Sequence, residues 1–186
     1  MELFEISDKC LDEYSFHKFM MELPEETVKN FYNFENKEPR EINEIIDDGR
    51  FNFFLRIENK IAGYGFLKEK ERNNNIVNFG LVIGPHYQNK GYGKLLLEYI
   101  INWAHTKEYK KIWGACFDDN KPALRLYKKL GFRFEGVFLN EERIYDYSTD
   151  KQTFRHLYSL AIYLGRNEGS TYYTNIEYLK KLYENM

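Results

Sequence analysis

Residues 88–93, Gln88-Asn89-Lys90-Gly91-Tyr92-Gly93, set two glycines between an apolar β-type run and a strongly apolar helical stretch. No other segment restricts the fold as tightly. Gly91 and Gly93 let the backbone turn without Cβ clashes, so successive N–H groups can converge at the positive end of a helix. Ahead of them, residues 76–83 read as a strand. Behind them, residues 94–106 carry Leu95, Leu96, Leu97, Tyr99, Ile100, Ile101, Trp103 and Ala104, too apolar for a surface helix and suited to packing on a sheet. A loop of this kind is a candidate cradle for a phosphate or pyrophosphate. It is not a triphosphatase P-loop, because Lys94 follows Gly93 but Leu95 stands where the magnesium-holding hydroxyl belongs. Nor is it the dinucleotide fingerprint, since Leu96 takes the place of the third glycine.

The rest of the chain alternates in period. Residues 10–23 have helical spacing in Leu11, Tyr14, Phe16, Phe19, Met20 and Leu23, and Pro24 marks a boundary; further helices are expected over 24–34 and 40–47. Residues 51–57 and 61–67 are aromatic and β-branched and read as a hairpin, with Asn73-Asn74-Asn75 as a loop before the strand at 76–83. Residues 111–117 form the next expected strand. Asp118-Asp119-Asn120 caps a helix with Pro122 in its first turn, an apolar face of Ala123, Leu126, Tyr127 and Leu130, and a stop at Gly131. Closing strands are expected at 132–138 and 155–164, separated by a polar, tyrosine-bearing loop, and a short helix at 174–183. The alternation predicts an α/β or α+β sandwich.

With 186 residues the chain is most simply one domain. Its 43% hydrophobic and 30% charged residues exclude an intrinsically disordered chain. A net charge of -2 argues against a nucleic-acid binder, and no apolar run is long enough for a membrane span. Met1-Glu2-Leu3-Phe4-Glu5 does not read as a secretory signal. Cys10 and Cys116 make neither a disulfide scaffold nor a metal site, so no metal is expected and the setting reads as cytoplasmic.

The stretch from Val82 through Gly93, followed by a long helix and then by Asn120, Ala123, Tyr127, Gly131 and Phe132, closely resembles the GCN5-related N-acetyltransferase (GNAT) family. The first element matches that family's pyrophosphate loop and the second its N-x-x-A-x-x-x-Y-x-x-x-G-F helix. The likeness is sharp over residues 77–136 and looser over 1–164, which it makes the acetyltransferase domain; residues 165–186 fall outside it as a C-terminal extension. The resemblance implies an acyl-CoA N-acyltransferase fold, a mixed central sheet splayed between the strands at 76–83 and 111–117 and flanked by helices. It further implies acetyl-CoA as cofactor, with the N–H groups of Gln88, Asn89, Lys90, Gly91, Tyr92 and Gly93 on the pyrophosphate. The backbone of Leu81, Val82 and Ile83 would pair with the pantetheine, and Asn120 would contact it. Tyr127 would stand beside the departing sulfur as the catalytic phenol. Read without the family, Asn120 is an ordinary N-cap and Tyr127 an apolar-face residue.

One departure bears on mechanism. Many relatives carry a glutamate on the strand before the loop, whereas this chain has Asn78, which cannot act as a base. Glu2, Asp118, Asp119, His86, His156 and solvent are the alternatives, and the base is unassigned. Cys116 lies in an apolar run and reads as a small core residue rather than a nucleophile.

The acceptor implied is an amine. Residues 1–50 hold 14 acids and six bases, a net of -8, while the other 136 residues hold 15 acids and 21 bases, a net of +6. An acidic acceptor side would attract a small cationic amine, although helix faces of ordinary proteins are often acidic. A ribosomal or other protein N-terminus is the alternative acceptor. Tyr145, Tyr147, Tyr158, Tyr163, Tyr172 and Tyr173 could stack on an acceptor, but core filling or a homodimer contact is the stronger reading. Two other classes compete: a non-catalytic acyl-CoA sensor, favoured by Asn78, and a tyrosine-surfaced interaction module.

Overall fold

The structure is a computed structural model, and it describes residues 4–7, 13–24, 27–28, 31, 49–70, 73–146 and 151–164. The helices expected at 40–47 and 174–183, together with Glu2 and Cys10, lie outside the described residues. The chain divides into two compact units, Met1–Ile112 and Trp113–Met186.

In the first unit β1 (Phe4–Ser7), β2 (Phe51–Ile57), β3 (Lys60–Lys70) and β4 (Asn73–Ile83) form an antiparallel meander in that spatial order. β1 is a strand that the apolar patterning did not announce, because four residues are too few to establish a period. Asn73-Asn74-Asn75 is strand rather than loop: Lys70 pairs with Asn73 across a bulge, and backbone hydrogen bonding carries β4 past the apolar part of its sequence. Helix α1 (Glu13–Met21) lies within the expected 10–23 span, and the Val28 and Phe31 amides bond to the carbonyls of Pro24 and Thr27 in helical fashion.

The period-two pattern of the strands sorts their side chains into two cores. Phe54, Tyr64, Phe66 and Val82 pack with Phe16, Phe19, Met20, Leu23, Val28 and Phe31, and the Phe16 ring lies 4.7 Å from Tyr64 and 5.3 Å edge-on from Phe54. Buried Tyr64 keeps its hydroxyl satisfied by donating to Asn52 Oδ1 at 2.7 Å. Alternate residues meet α2 (Tyr92–Thr106), whose Leu96, Leu97, Ile100 and Ala104 are buried, with Trp103 5.2 Å from Phe53. Gly65 of β3 is what allows α2 this close, since a Cβ there would stand 2.6 Å from Ile100 Cδ1.

The second unit takes in β5 (Lys111–Phe117) from Trp113 onward and orders its strands β5, β7 (Lys151–Tyr163), β6 (Arg133–Asp146), with helix α3 (Lys121–Lys129) between β5 and β6 along the chain. β6 and β7 pair from Arg133↔Ala161 out to Asp146↔Lys151. The polar loop expected between residues 138 and 155 is therefore largely strand. Its distal part buries neither face, with Phe138, Leu139 and Phe154 all exposed, so the alternation that marks a half-buried strand is missing. Among the described residues, no helix is long and apolar enough to cross a membrane.

Candidate active site

The predicted site residues fall into two groups. Leu81, Val82 and Ile83 end β4 in the first unit, and the glycine segment follows a single 3-10 turn at Pro85–Tyr87. Gln88 is extended, and its side-chain amide donates to the Ile83 carbonyl at 3.0 Å, tying the segment to the strand end. Asn89 (φ 59°) and Gly91 (φ 87°) both adopt the left-handed region on either side of Lys90. Left-handed residues set this close together turn the backbone sharply, the kind of conformation in which successive N–H groups can share one concavity. Gly91 is the N-cap of α2, so Tyr92 and Gly93 belong to the first turn of the helix rather than to a loop. Their N–H groups are among the four that a helix start leaves without an intrahelical acceptor. No acidic residue occupies that turn, and the exposed Lys90 and Lys94 stand beside it, Lys94 paired with Glu98 at 3.3 Å. A Cβ built on Gly91 meets nothing within 4 Å, so the cradle opens outward there. The donor set, its shape and the charge around it fit a diphosphate.

Val82 is buried in the core, whereas Leu81 and Ile83 are half-buried. All three pair with β3, through Gly65↔Leu81, Tyr64↔Val82 and Gly63↔Ile83. In such a ladder alternate residues turn their N–H and C=O away from the partner strand, which is the arrangement a strand-like ligand needs.

The second unit holds Asn120 and Tyr127. Asn120 caps α3, its Oδ1 accepting the Ala123 amide at 3.3 Å. Its amide NH2 is the end that can address a ligand. Tyr127 lies seven residues on, two turns along the same helix face, with its ring 5.6 Å from Phe132 and only 7% exposed. Burial, with Cys116 beside it, pushes its phenol well above the ordinary range. At any working pH the group is a neutral hydrogen-bond donor.

Cys116 is also buried, and burial, reinforced by Asp119 and Asp118 and only partly opposed by Arg155, pushes its thiol up to about 12. It is not a thiolate nucleophile. Iodoacetamide applied to the folded protein at pH 8 is expected to leave the Cys116 peptide unmodified, and rapid alkylation seen by mass spectrometry would contradict this.

Three of the candidate bases are engaged elsewhere. Asp118 Oδ1 accepts the His156 amide at 3.0 Å, and Asp119 Oδ1 accepts from Arg155 at 2.7 Å. His156 Nδ1 accepts the Asn140 N–H at 3.0 Å, so the proton of the neutral ring sits on Nε2, which then donates rather than accepts. His86 is exposed on the 3-10 turn, and Asn78 is half-buried opposite Lys68. The residues missed in the sequence are Arg155 and Glu142, whose pairing depends on the β6–β7 register.

Residues 14–132, well over half of the chain, match the acetyltransferase (GNAT) family, and the chain belongs to it. Spermine/spermidine N(1)-acetyltransferase of Bacillus subtilis is 35% identical over 88 residues, covering 45% of this chain and 58% of that protein. The ribosomal protein bS18-alanine N-acetyltransferase of Salmonella typhimurium is 33% identical over 54 residues, covering 29% of this chain and 36% of that one. Among solved structures, spermidine N-acetyltransferase from Vibrio cholerae in complex with CoA and spermine superposes with a TM-score of 0.69 at 19% identity, over 87% of this chain and 95% of that one. The fold is therefore that of the GNAT acetyltransferases. The chain spans about half the length of the curated relatives it matches.

Proposed function

We propose that this chain transfers an acetyl group from acetyl-CoA to a primary amine of a small cationic molecule, a polyamine by class, with residues 1–164 as the acetyltransferase domain and 165–186 as an extension. The observation that carries the reading is the cradle at the start of α2, with Asn89 and Gly91 both left-handed and no acid in the first turn.

Acetyl-CoA supplies an acyl carbon activated by its bond to sulfur; the ammonium first gives one proton to solvent, the N–C bond then forms as the C–S bond breaks, the nitrogen gives up its second proton to solvent, and the departing thiolate takes one up from solvent. The N–H groups of Gln88 through Gly93 hold the diphosphate. The strand-end backbone of Leu81, Val82 and Ile83, with the Asn120 amide, orients the pantetheine. Tyr127 donates a hydrogen bond to the sulfur as charge develops there. Its raised pKa makes it a weaker acid than an ordinary thiol, so it stabilises the charge without giving up its proton. Direct attack by the amine is favoured over an acyl-cysteine route, since Cys116 stays protonated.

The test is thiol release from acetyl-CoA across polyamine, aminoglycoside, amino acid and basic-peptide acceptors at low and high salt. Turnover on cationic amines that weakens with salt is expected, and a preference for neutral or acidic acceptors would sink the acceptor assignment. Tyr127→Phe is expected to lower kcat about 10- to 100-fold while the Kd for acetyl-CoA holds; unchanged kcat would remove Tyr127 from the chemistry. A protein N-terminus is the second reading, favoured by the likeness to the alanine N-acetyltransferase, and turnover confined to peptides would select it. Binding of acetyl-CoA with no turnover on any amine would favour the sensor to which Asn78 points.

A further inference from the structure

Arg155 on β7 is only 7% exposed, an unusual place for a guanidinium. It is held from two directions. Nη2 donates to Asp119 Oδ1 and Nη1 to Glu142 Oε2, both at 2.7 Å, and the guanidinium lies 3.8 Å above the Phe117 ring. Burial opposes the charge, but the two carboxylate hydrogen bonds outweigh it and hold the group above its ordinary pKa.

The two carboxylates have different stations. Glu142 belongs to β6, immediately after the register shift that follows Phe138. Asp119 belongs to the turn between β5 and α3 and directly precedes Asn120. That turn is fastened again by its neighbour, because the Asp118 amide donates to the His156 carbonyl at 2.9 Å while Asp118 Oδ1 accepts the His156 amide. Within the turn, the Asn120 amide bonds to the Phe117 carbonyl at 3.1 Å and the Lys121 amide to that of Asp119 at 2.8 Å. A buried ion pair is a poor source of net stability, but a planar fork engaging two carboxylates at once defines an orientation.

We propose that Arg155 is a positioning residue for the cofactor site: by bridging Asp119 and Glu142 it sets the turn that presents Asn120 and starts the helix carrying Tyr127. This rests on the reading of Asn120 as a pantetheine contact. Lysine keeps the charge but cannot hold both carboxylates in one plane, so Arg155→Lys is the informative change.

The experiment is a double-mutant cycle on acetyl-CoA affinity, read by calorimetry with the full chain. Asn120→Ala is expected to weaken binding about tenfold and Arg155→Lys about fivefold, with the double variant staying near tenfold because a misplaced Asn120 has little left to lose. A double variant near the product, about fiftyfold, or wild-type binding by a folded Arg155→Lys protein would overturn the proposal. A general loss of stability would lower the melting temperature yet leave the effect of Asn120→Ala intact. If Arg155→Lys does not fold, Asp119→Asn, at a side chain 54% exposed, takes its place in the cycle with the same outcomes expected. If the wild-type chain binds no acetyl-CoA, the cofactor reading fails, and hydrogen exchange decides the positioning claim. The Ala123 amide, capped by Asn120 Oδ1, should then exchange faster in Arg155→Lys, and an unchanged rate would overturn it.

Discussion

Gly91→Glu is expected to weaken acetyl-CoA binding at least about 100-fold while leaving the protein folded, as measured by calorimetry and thermal melting. Two costs combine. A side chain at φ 87° costs on the order of 1–2 kcal/mol in the left-handed region, part of which binding must overcome by holding the cradle in shape. The larger cost is electrostatic, because a carboxylate at the N-cap of α2 occupies the favourable field that the diphosphate would use. The same carboxylate is well placed for the helix dipole, which is why the fold should survive. Gly91→Ala separates the two contributions. With nothing within 4 Å of its Cβ, the alanine variant carries the conformational cost alone and should lose no more than about tenfold. Equal losses for alanine and glutamate, or a glutamate variant that binds normally, would disconnect this helix start from the diphosphate.

Stability should fall steeply with alkali. Cys116 and Tyr127 have ordinary values of 9.0 and 10.0, and both keep their protons in the folded chain, Cys116 to about 12 and Tyr127 further still. Above pH 9 the unfolded state therefore binds fewer protons than the native state, and the stability gained by folding declines as pH rises. Each group contributes a slope of about 1.4 kcal/mol per pH unit once its unfolded form ionises, so between pH 10 and about 12 the two together give nearly 3 kcal/mol per unit. Against a typical total of about 5–15 kcal/mol, the loss of about 4 kcal/mol between pH 8 and pH 11 is a large fraction of the stability. Urea titrations across that range should show it, and a Cys116→Ala/Tyr127→Phe protein should show a shallower decline. A urea midpoint independent of pH would mean that neither group is buried as described.

Much of this architecture was legible because it depends on local chemistry. Gly91 announces a tight turn because few residues tolerate a φ of 87°, whereas Gly93 takes ordinary helical backbone, and Asn120 with Pro122 announces a helix start because capping is a local hydrogen-bond problem. Apolar strands were read within a few residues of their observed ends. What escaped was non-local. The outer arm of β6 and β7 is held by backbone pairing with no buried face, so its sequence has no apolar alternation to read. Arg155 looks like any strand cation until β6 and β7 are in register and Glu142 arrives opposite it. His156 could be weighed as a base in the sequence, but only its bond from the Asn140 amide fixes which nitrogen carries the proton.

Gly65 has a bearing on the cradle although it lies on a different element. Helix α2 is a stiff rod whose first residues form the cradle, and it rests on β3 at Ile100, eight residues along, or about 12 Å from its start. A rod seated along a whole face, with Leu96, Leu97, Ile100 and Ala104 all buried, carries its depth from one end to the other. The absent side chain at Gly65 leaves the room that Ile100 Cδ1 fills, and so shares in setting how closely α2 lies on β3. Should the helix start seat a diphosphate as proposed, a strand outside the cradle would share in fixing its depth, through volume left empty.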